Sequence, residues 1–389
     1  MLDQIEGSQA IAHAVACSRP QVICAYPITP QTHIVEGLGV RVKEGTLTPC
    51  AFINVESEFA ALSVSIGASA AGSRVYTATA SQGLLYMTEA VYNAAGLGLP
   101  IVMTVANRAI GAPINIWNDH SDAMALRDSG WVQLYASDNQ EAVDVHVQAF
   151  RIAEELSVPV MVCVDGFILT HAFERLDLPD QDVVDRFLPA FAPRQQLDPD
   201  APLTIGAMVG PEAFTEVRYL AHNNLGRALE VIPAVAAEFE ARFGRRSGGL
   251  VHPYRVADAR MVVVAQGAVA GTLQQVIDDL RADGLAVGGL TVATYRPFPQ
   301  DAVRSALSGA DLVVVIDRAL ATGSGGFLAS DVRPVVGAGV PCYDVVAGLG
   351  GRAVTQASLR RCLRNAAVGR LEPLTFLDLH ADMLEEVGR

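Results

Sequence analysis

Four short polar stretches carry side chains able to hold a small acid and move a proton, and each follows an apolar run. In Tyr26-Pro27-Ile28-Thr29-Pro30, two prolines each fix φ at roughly −65° and remove two backbone donors. They also push Tyr26 and Thr29 toward extended geometry. Thr29 therefore offers a hydroxyl from a stiff loop, although a rigid turn without chemistry would use the same residues. In Glu56-Ser57-Glu58, two carboxylates lie two positions apart. They share a side if the chain is extended and diverge if a helix has begun. Either could exchange a proton with a ligand or simply complement a helix N-terminus.

Ala80-Ser81-Gln82-Gly83 joins a strand to a helix, and its small residues would let backbone amides approach a ligand. Ser81 would serve equally as a plain N-cap. Ala106-Asn107-Arg108 places a guanidinium at a strand end, where it could clamp a carboxylate by paired hydrogen bonds or lie on the surface. The loop after it, Pro113-Ile114-Asn115-Ile116-Trp117-Asn118-Asp119-His120-Ser121-Asp122, is long, polar and aromatic for a mere connector. There Asp119 and His120 could form an acid–base pair, or His120 could be a satisfied structural histidine. Asp122 could cap the helix carrying Arg127.

The elements that would position these groups alternate. Strands are expected at 22–25, 48–55, 74–79, 100–106, 132–136 and 158–164, separated by helices at 32 onward, 59–71, 82–95 and 140–156, with another at 7–17. Such alternation means a doubly wound parallel sheet covered on both faces. Its strand ends open on one edge, where open α/β sheets bind ligands. Residues 165–254 break the rhythm with six prolines to Pro211 and a long helical stretch, 212–243, expected to be interrupted at Pro233. Alternation resumes from Arg260, with a terminal docking helix expected over 376–387. The expected domains are 1–254, including 165–254 as a connector, and 255–389. Gly323-Ser324-Gly325-Gly326 and Gly348-Leu349-Gly350-Gly351 lack the spacing of a dinucleotide or P-loop motif and read as turns.

With 389 residues, 51% hydrophobic and 18% charged, the chain can fill two cores. A net charge of −14 argues against a nucleic-acid partner. No apolar run reaches membrane-spanning length, and the start, Met1-Leu2-Asp3-Gln4-Ile5-Glu6, is unlike a secretory signal. A cytoplasmic location is expected. The six cysteines, Cys17, Cys24, Cys50, Cys163, Cys342 and Cys362, include no Cys-x-x-Cys pair, so zinc and iron–sulfur sites are not signalled.

Taken together, the motifs at Tyr26–Pro30, Glu56–Glu58, Thr79–Leu84, Ala106–Ala109 and Asn118–Asp122 resemble the α subunits of multi-subunit pyruvate:ferredoxin oxidoreductases, within the 2-oxoacid:ferredoxin oxidoreductases. The resemblance implies an α/β thiamine-diphosphate-binding fold of the pyrimidine type, followed by a transketolase C-terminal-like α/β domain. It implies that Glu58 bonds the aminopyrimidine of thiamine diphosphate, with Pro27, Ile28, Ser81 and Gln82 around the coenzyme. Thr29, Arg108 and Asn118 would hold the substrate. There is no Gly-Asp-Gly followed by asparagine for a magnesium diphosphate; Asp165-Gly166-Phe167 lacks the first glycine. β, γ and δ partner subunits are therefore expected, with the diphosphate site, Mg2+ and [4Fe-4S] clusters on β and δ, coenzyme A, the co-substrate, bound mainly by γ, and ferredoxin as electron carrier. Alternative readings are the same chemistry on 2-oxoisovalerate, 2-oxoglutarate or oxalate, and a non-catalytic assembly subunit.

Overall fold

The structure is a computed structural model, and it describes residues 2–387. The chain divides into two compact units, residues 1–250 with 293–299, and residues 251–292 with 300–389.

The first unit opens with strand β1 (Leu2–Glu6) and helix α1 (Gly7–Cys17). Then come β2 (Val22–Ala25), α2 (Thr32–Lys43), β3 (Ala51–Asn54), α3 (Glu58–Ala70), β4 (Val75–Thr79), α4 (Ser81–Tyr86), α5 (Thr88–Gly96) and β5 (Ile101–Asn107). After the long loop follow α6 (Ser121–Ala125), β6 (Val132–Tyr135), α7 (Asn139–Leu156), β7 (Val160–Asp165) and β8 (Phe173–Asp177). The stretch 82–95 is thus two helices, separated at Met87, and not the single helix expected. The connector continues as α8 (Gln181–Phe187), α9 (Phe214–Gly226) and α10 (Ala228–Phe243). Its helical stretch breaks at Gly226–Arg227, where glycine has low helix propensity, while Pro233 is accommodated inside α10.

Val160-Met161-Val162-Cys163-Val164 is buried throughout, as an apolar run must be when helices cover both faces of a parallel sheet. Helix α7 is pinned at its start by Asp138, whose side chain accepts from Glu141 N at 2.7 Å. It ends at Ser157 in the left-handed conformation. The connector is tied down by Arg245, which bonds Asp144 at 2.6 Å and Asp177 at 2.8 Å, and by Phe239 packed edge-on to Phe187.

The main sheet of this unit has the order β12-β6-β7-β5-β4-β2-β3, where β12 (Thr294–Arg296) returns late in the chain and runs antiparallel to β6. The other neighbouring pairs are parallel. Their register pairs Asn107 with Asp165 and Ala25 with Asn54. The C-terminal ends of β2, β3, β4, β5 and β7 therefore open on one edge. A separate two-stranded sheet pairs β1 with β8, Glu6 opposite Phe173; neither strand was expected from the sequence.

The second unit contains β9 (Val251–Tyr254), β10 (Met261–Ala265), α11 (Val269–Ala282), β11 (Val287–Val292), α12 (Gln300–Leu307) and β13 (Leu312–Asp317). It continues with α13 (Phe327–Val336), β14 (Cys342–Val346), α14 (Gln356–Ala367), β15 (Leu374–Phe376) and α15 (Ala381–Val387). Its sheet order is β15-β14-β13-β10-β11-β9, parallel except for β9. Its core joins Val263 and Val314 to Ile277, Leu359 and Leu363. The expected terminal helix over 376–387 begins later, because Phe376 belongs to β15. At the N-terminus of α13, Gly326 N donates to Asp344 at 2.7 Å and Ala329 N to Asp317 at 3.2 Å. The chain's own carboxylates satisfy these amides, consistent with a turn at Gly323–Gly326. Among the described residues, no helix is long and apolar enough to cross a membrane.

Candidate active site

Glu58 is the first residue of α3, and Ser57 caps that helix by accepting from Ala60 N at 3.2 Å. Because the helix has begun, the two carboxylates diverge: Glu56 is exposed and Glu58 is buried. Among the described residues the Glu58 carboxylate has no hydrogen-bond partner. Gly83 of α4 lies directly against it. A Cβ on Gly83 would stand 2.7 Å from Glu58 Oε1 and 2.6 Å from Thr79 Oγ1. Thr79 Oγ1 is itself buried without a partner among the described residues. An unpartnered carboxylate and hydroxyl beside bare glycine backbone form a cradle that suits a flat, hydrogen-bonding ring.

Ser81 is fully buried and left-handed at φ 50°, a conformation that a non-glycine residue keeps only when its surroundings impose it. Its N–H donates to Asp122 Oδ2 at 2.9 Å, and its hydroxyl lies within hydrogen-bond distance of both Ala109 O and Gln82 Oε1, with one proton to donate between them. It is therefore part of the helix and not its N-cap, which is Ala80. Gln82 is half-buried, and its Nε2 lies beside Gly111 of the long loop.

Arg108 is buried, and that burial lowers its pKa. Its Nη1 donates to Thr29 O at 2.9 Å and its Nε to Asn115 O at 3.2 Å. Two carbonyls thus aim the guanidinium, and Nη2 makes no hydrogen bond among the described residues. Thr29 and Pro27 are exposed and Ile28 is half-buried. The proline loop is fixed from behind by Gln31, whose Nε2 donates to Tyr26 O at 2.9 Å and Ala78 O at 3.2 Å.

Asp122 organises this edge. One oxygen accepts from Asn107 Nδ2 and Ala123 N, both at 2.8 Å; the other accepts from Ser81 N and from Arg108 N at 3.0 Å. It is fully buried, and burial pushes its pKa up against those four donors. It sits within α6 and ties two strand ends together, so the cap expected for a helix carrying Arg127 is not its role. His120 bonds Asp165 at 2.6 Å, both nearly inaccessible. Asp119 accepts from Ser121 N at 2.9 Å. The acid–base pairing considered for Asp119 and His120 is thus replaced by a structural His120–Asp165 contact. Asn118 is buried and donates to Asn107 O at 3.2 Å. Trp117 packs against Phe167 with its ring tilted at 45° and the centroids 4.8 Å apart.

The structure therefore brings Glu58, Thr29, Ser81, Gln82, Arg108 and Asn118 to one edge of one sheet. Sequence reasoning missed Gln31 and the partnership of Asp165 with His120. A glutamine one residue past a proline loop is a weak signal, and an aspartate ending a strand is a common one.

A doubly wound parallel sheet with a buried carboxylate at its C-terminal edge is an α/β frame of the kind that binds ligands outside its strand ends. The pyruvate flavodoxin/ferredoxin oxidoreductase, thiamine-diphosphate-binding family model matches residues 13–237, and the pyruvate:ferredoxin oxidoreductase core domain II model matches residues 259–359. The chain belongs to the pyruvate flavodoxin/ferredoxin oxidoreductase family. It is 46% identical to "Pyruvate synthase subunit PorA" of Methanosarcina barkeri over 98% of this chain and 97% of that one. It is 38% identical to "Ketoisovalerate oxidoreductase subunit VorA" of Pyrococcus abyssi, covering 92% of this chain and 91% of the relative. The fold also matches a solved 2-oxoglutarate:ferredoxin oxidoreductase from Magnetococcus marinus, with TM-score 0.74 and 17% identity, over 94% of this chain and 65% of that longer one.

Proposed function

We propose that this chain is the α subunit of a cytoplasmic pyruvate:ferredoxin oxidoreductase, also called pyruvate synthase. The complex would convert pyruvate and coenzyme A to acetyl-CoA and CO2 with electrons to ferredoxin, or run the reverse carboxylation. The observation that carries this reading is the buried, unpartnered Glu58 carboxylate against the Gly83 backbone, within a chain 46% identical to a pyruvate synthase subunit.

Thiamine diphosphate, when bound, supplies the carbon nucleophile and electron sink that 2-oxoacid cleavage requires. The residues present fit its aminopyrimidine half. Glu58 would hydrogen-bond a ring nitrogen and hold a proton there. Gly83 leaves room for close approach, and Pro27, Ile28, Ser81 and Gln82 would line the ring. Arg108, aimed by two carbonyls, would clamp the substrate carboxylate with its remaining donors. The Thr29 hydroxyl and Asn118 would complete the substrate contacts. Magnesium, the diphosphate contacts and [4Fe-4S] clusters would be supplied by β and δ subunits, and coenzyme A would bind mainly to a γ subunit. Tyr26, Phe59, Tyr86, Ile114 and Trp117 are all exposed, and exposed large apolar residues around a site suit cover by another chain.

The test is Glu58→Gln in the reconstituted complex, assayed for pyruvate- and coenzyme A-dependent dye reduction. Turnover is expected to fall about 10²- to 10⁴-fold, with assembly unchanged. Near-normal turnover would remove Glu58 from the chemistry. Comparison of kcat/KM for pyruvate, 2-oxoisovalerate, 2-oxoglutarate and oxalate is expected to place pyruvate first; a higher value for another acid would reassign the substrate.

A further inference from the structure

Behind the proline loop, three side chains far apart in sequence converge. Glu6 ends β1, His33 lies in the first turn of α2, and His171 stands in the turn after β7. One ligand atom from each falls within 4.8 Å of the others. His33 Nδ1 and Glu6 Oε1 are 2.7 Å apart, and the two imidazole rings lie 4.8 Å apart at 36°. None of the three is part of the site described above.

We propose that Glu6, His33 and His171 form a binding site for a late first-row divalent cation, with zinc the best fit. Two imidazoles and one carboxylate suit zinc, whereas magnesium and calcium prefer sets made of oxygen. His33 is 45% exposed and Glu6 15%, so one side stays open to solvent for a water ligand. The ion takes the place of the His33 Nδ1 proton that faces Glu6 Oε1; in the neutral imidazole that ligates, the one ring proton then sits on Nε2.

The support around His171 has the form that metal-binding histidines need. His171 Nδ1 lies 2.8 Å from Thr170 Oγ1, and that oxygen also accepts from Phe167 N at 2.8 Å. When His171 Nδ1–H donates to Thr170 Oγ1, Nε2 keeps its lone pair available for a metal. The same turn carries Phe167, which touches both His171 and Trp117. α2 begins two residues after Pro30. A bound ion would therefore fasten β1, α2 and this turn behind the loops that present Thr29 and Arg108.

The test uses the full-length chain stripped with EDTA and titrated with Zn(II) against a chromophoric chelator. A single saturable site is expected, lost in His33→Ala and His171→Ala and weakened about 10- to 100-fold in Thr170→Val. His33→Gln keeps the bulk of this half-exposed side chain and guards against misfolding. Zinc should raise the melting temperature of the wild type but not of His33→Gln. Co(II) should give a spectrum without thiolate charge transfer. Equal zinc affinity in the wild type and the histidine variants, or a thiolate band that reports a cysteine site, would overturn the proposal.

Discussion

Arg108 reaches across the sheet edge to Thr29, its Nη1 donating to the Thr29 carbonyl at 2.9 Å. The two residues follow β5 and β2, strands separated by β4, so this bond bridges two loops that are not neighbours. The guanidinium is therefore aimed by the same loop whose hydroxyl it would work beside. Lysine could keep the charge but not two carbonyl bonds and a free donor pair together. Arg108→Lys is expected to raise KM for the 2-oxoacid at least about tenfold. That corresponds to loss of a charge-assisted hydrogen bond worth roughly 1.5–3 kcal/mol. Steady-state kinetics of the assembled complex measure it, and an unchanged KM would take Arg108 out of the substrate site.

Gly83 gives a steric test of the cradle that does not touch the carboxylate's chemistry. Alanine is a better helix former than glycine by about 1 kcal/mol, so Gly83→Ala should not weaken α4 by propensity. Its methyl, however, would fall 2.7 Å from Glu58 Oε1 and force that side chain to turn. One added methyl in a fitted site is worth about 1–3 kcal/mol. The thiamine diphosphate concentration that half-saturates activity is therefore expected to rise about 10- to 200-fold, beside a stability loss of about 1–3 kcal/mol from the clash with Thr79 and Glu58. An unaltered coenzyme requirement would place the ring elsewhere.

The strands of the main sheet were legible because both of its faces are covered, and continuous runs such as Val160–Val164 have few other uses. The placement of Glu58, Ser81 and Arg108 at one edge followed from that alternation, since parallel strands must end together. The pairing of β1 with β8 was not legible: both strands are short and largely exposed, and their partners lie about 170 residues apart. The work of Asp122 was hidden for a different reason. Its four donors come from Ser81, Asn107, Arg108 and Ala123, and only the parallel pairing of β4 with β5 brings Ser81 to it. The split at Met87 also has no strong local signal, because no proline or glycine marks it.

Asp122 should be intolerant even of its closest isostere. Each carboxylate oxygen accepts two hydrogen bonds, whereas an asparagine must turn its NH2 group toward one of those donor pairs. In one orientation the amide opposes Ser81 N and Arg108 N, in the other Asn107 Nδ2 and Ala123 N. Leaving a buried donor unsatisfied costs about 1–3 kcal/mol, so Asp122→Asn is expected to destabilise the first unit by at least about 2 kcal/mol. Because Ser81 and Arg108 lose a shared anchor, KM should rise in the same variant. Urea denaturation and kinetics together check this; wild-type values in both would show that the hub is not needed.

The second unit should carry a pH dependence of its own, set by Asp317. This carboxyl is buried at the end of β13, and burial first, then the charge of Asp344, pushes its pKa up to about 7. In the unfolded chain an aspartate titrates near about 3.9. The folded state therefore binds a proton more tightly. The stabilisation is fully present below about 3.9 and is lost as pH rises through about 7. A separation near three units corresponds to a few kcal/mol, roughly 4 at most. His146 in the first unit works oppositely. Burial holds it down to about 4, so its contribution is lost as pH falls from about 6.5. Hydrogen exchange resolved by segment, recorded between pH 4 and 8, should show protection in β13 and β14 declining with rising pH while β5 and α7 gain. Asp317→Asn should flatten the first trend and leave the second untouched. A decline in β13 and β14 that persists in Asp317→Asn would assign the effect to another group.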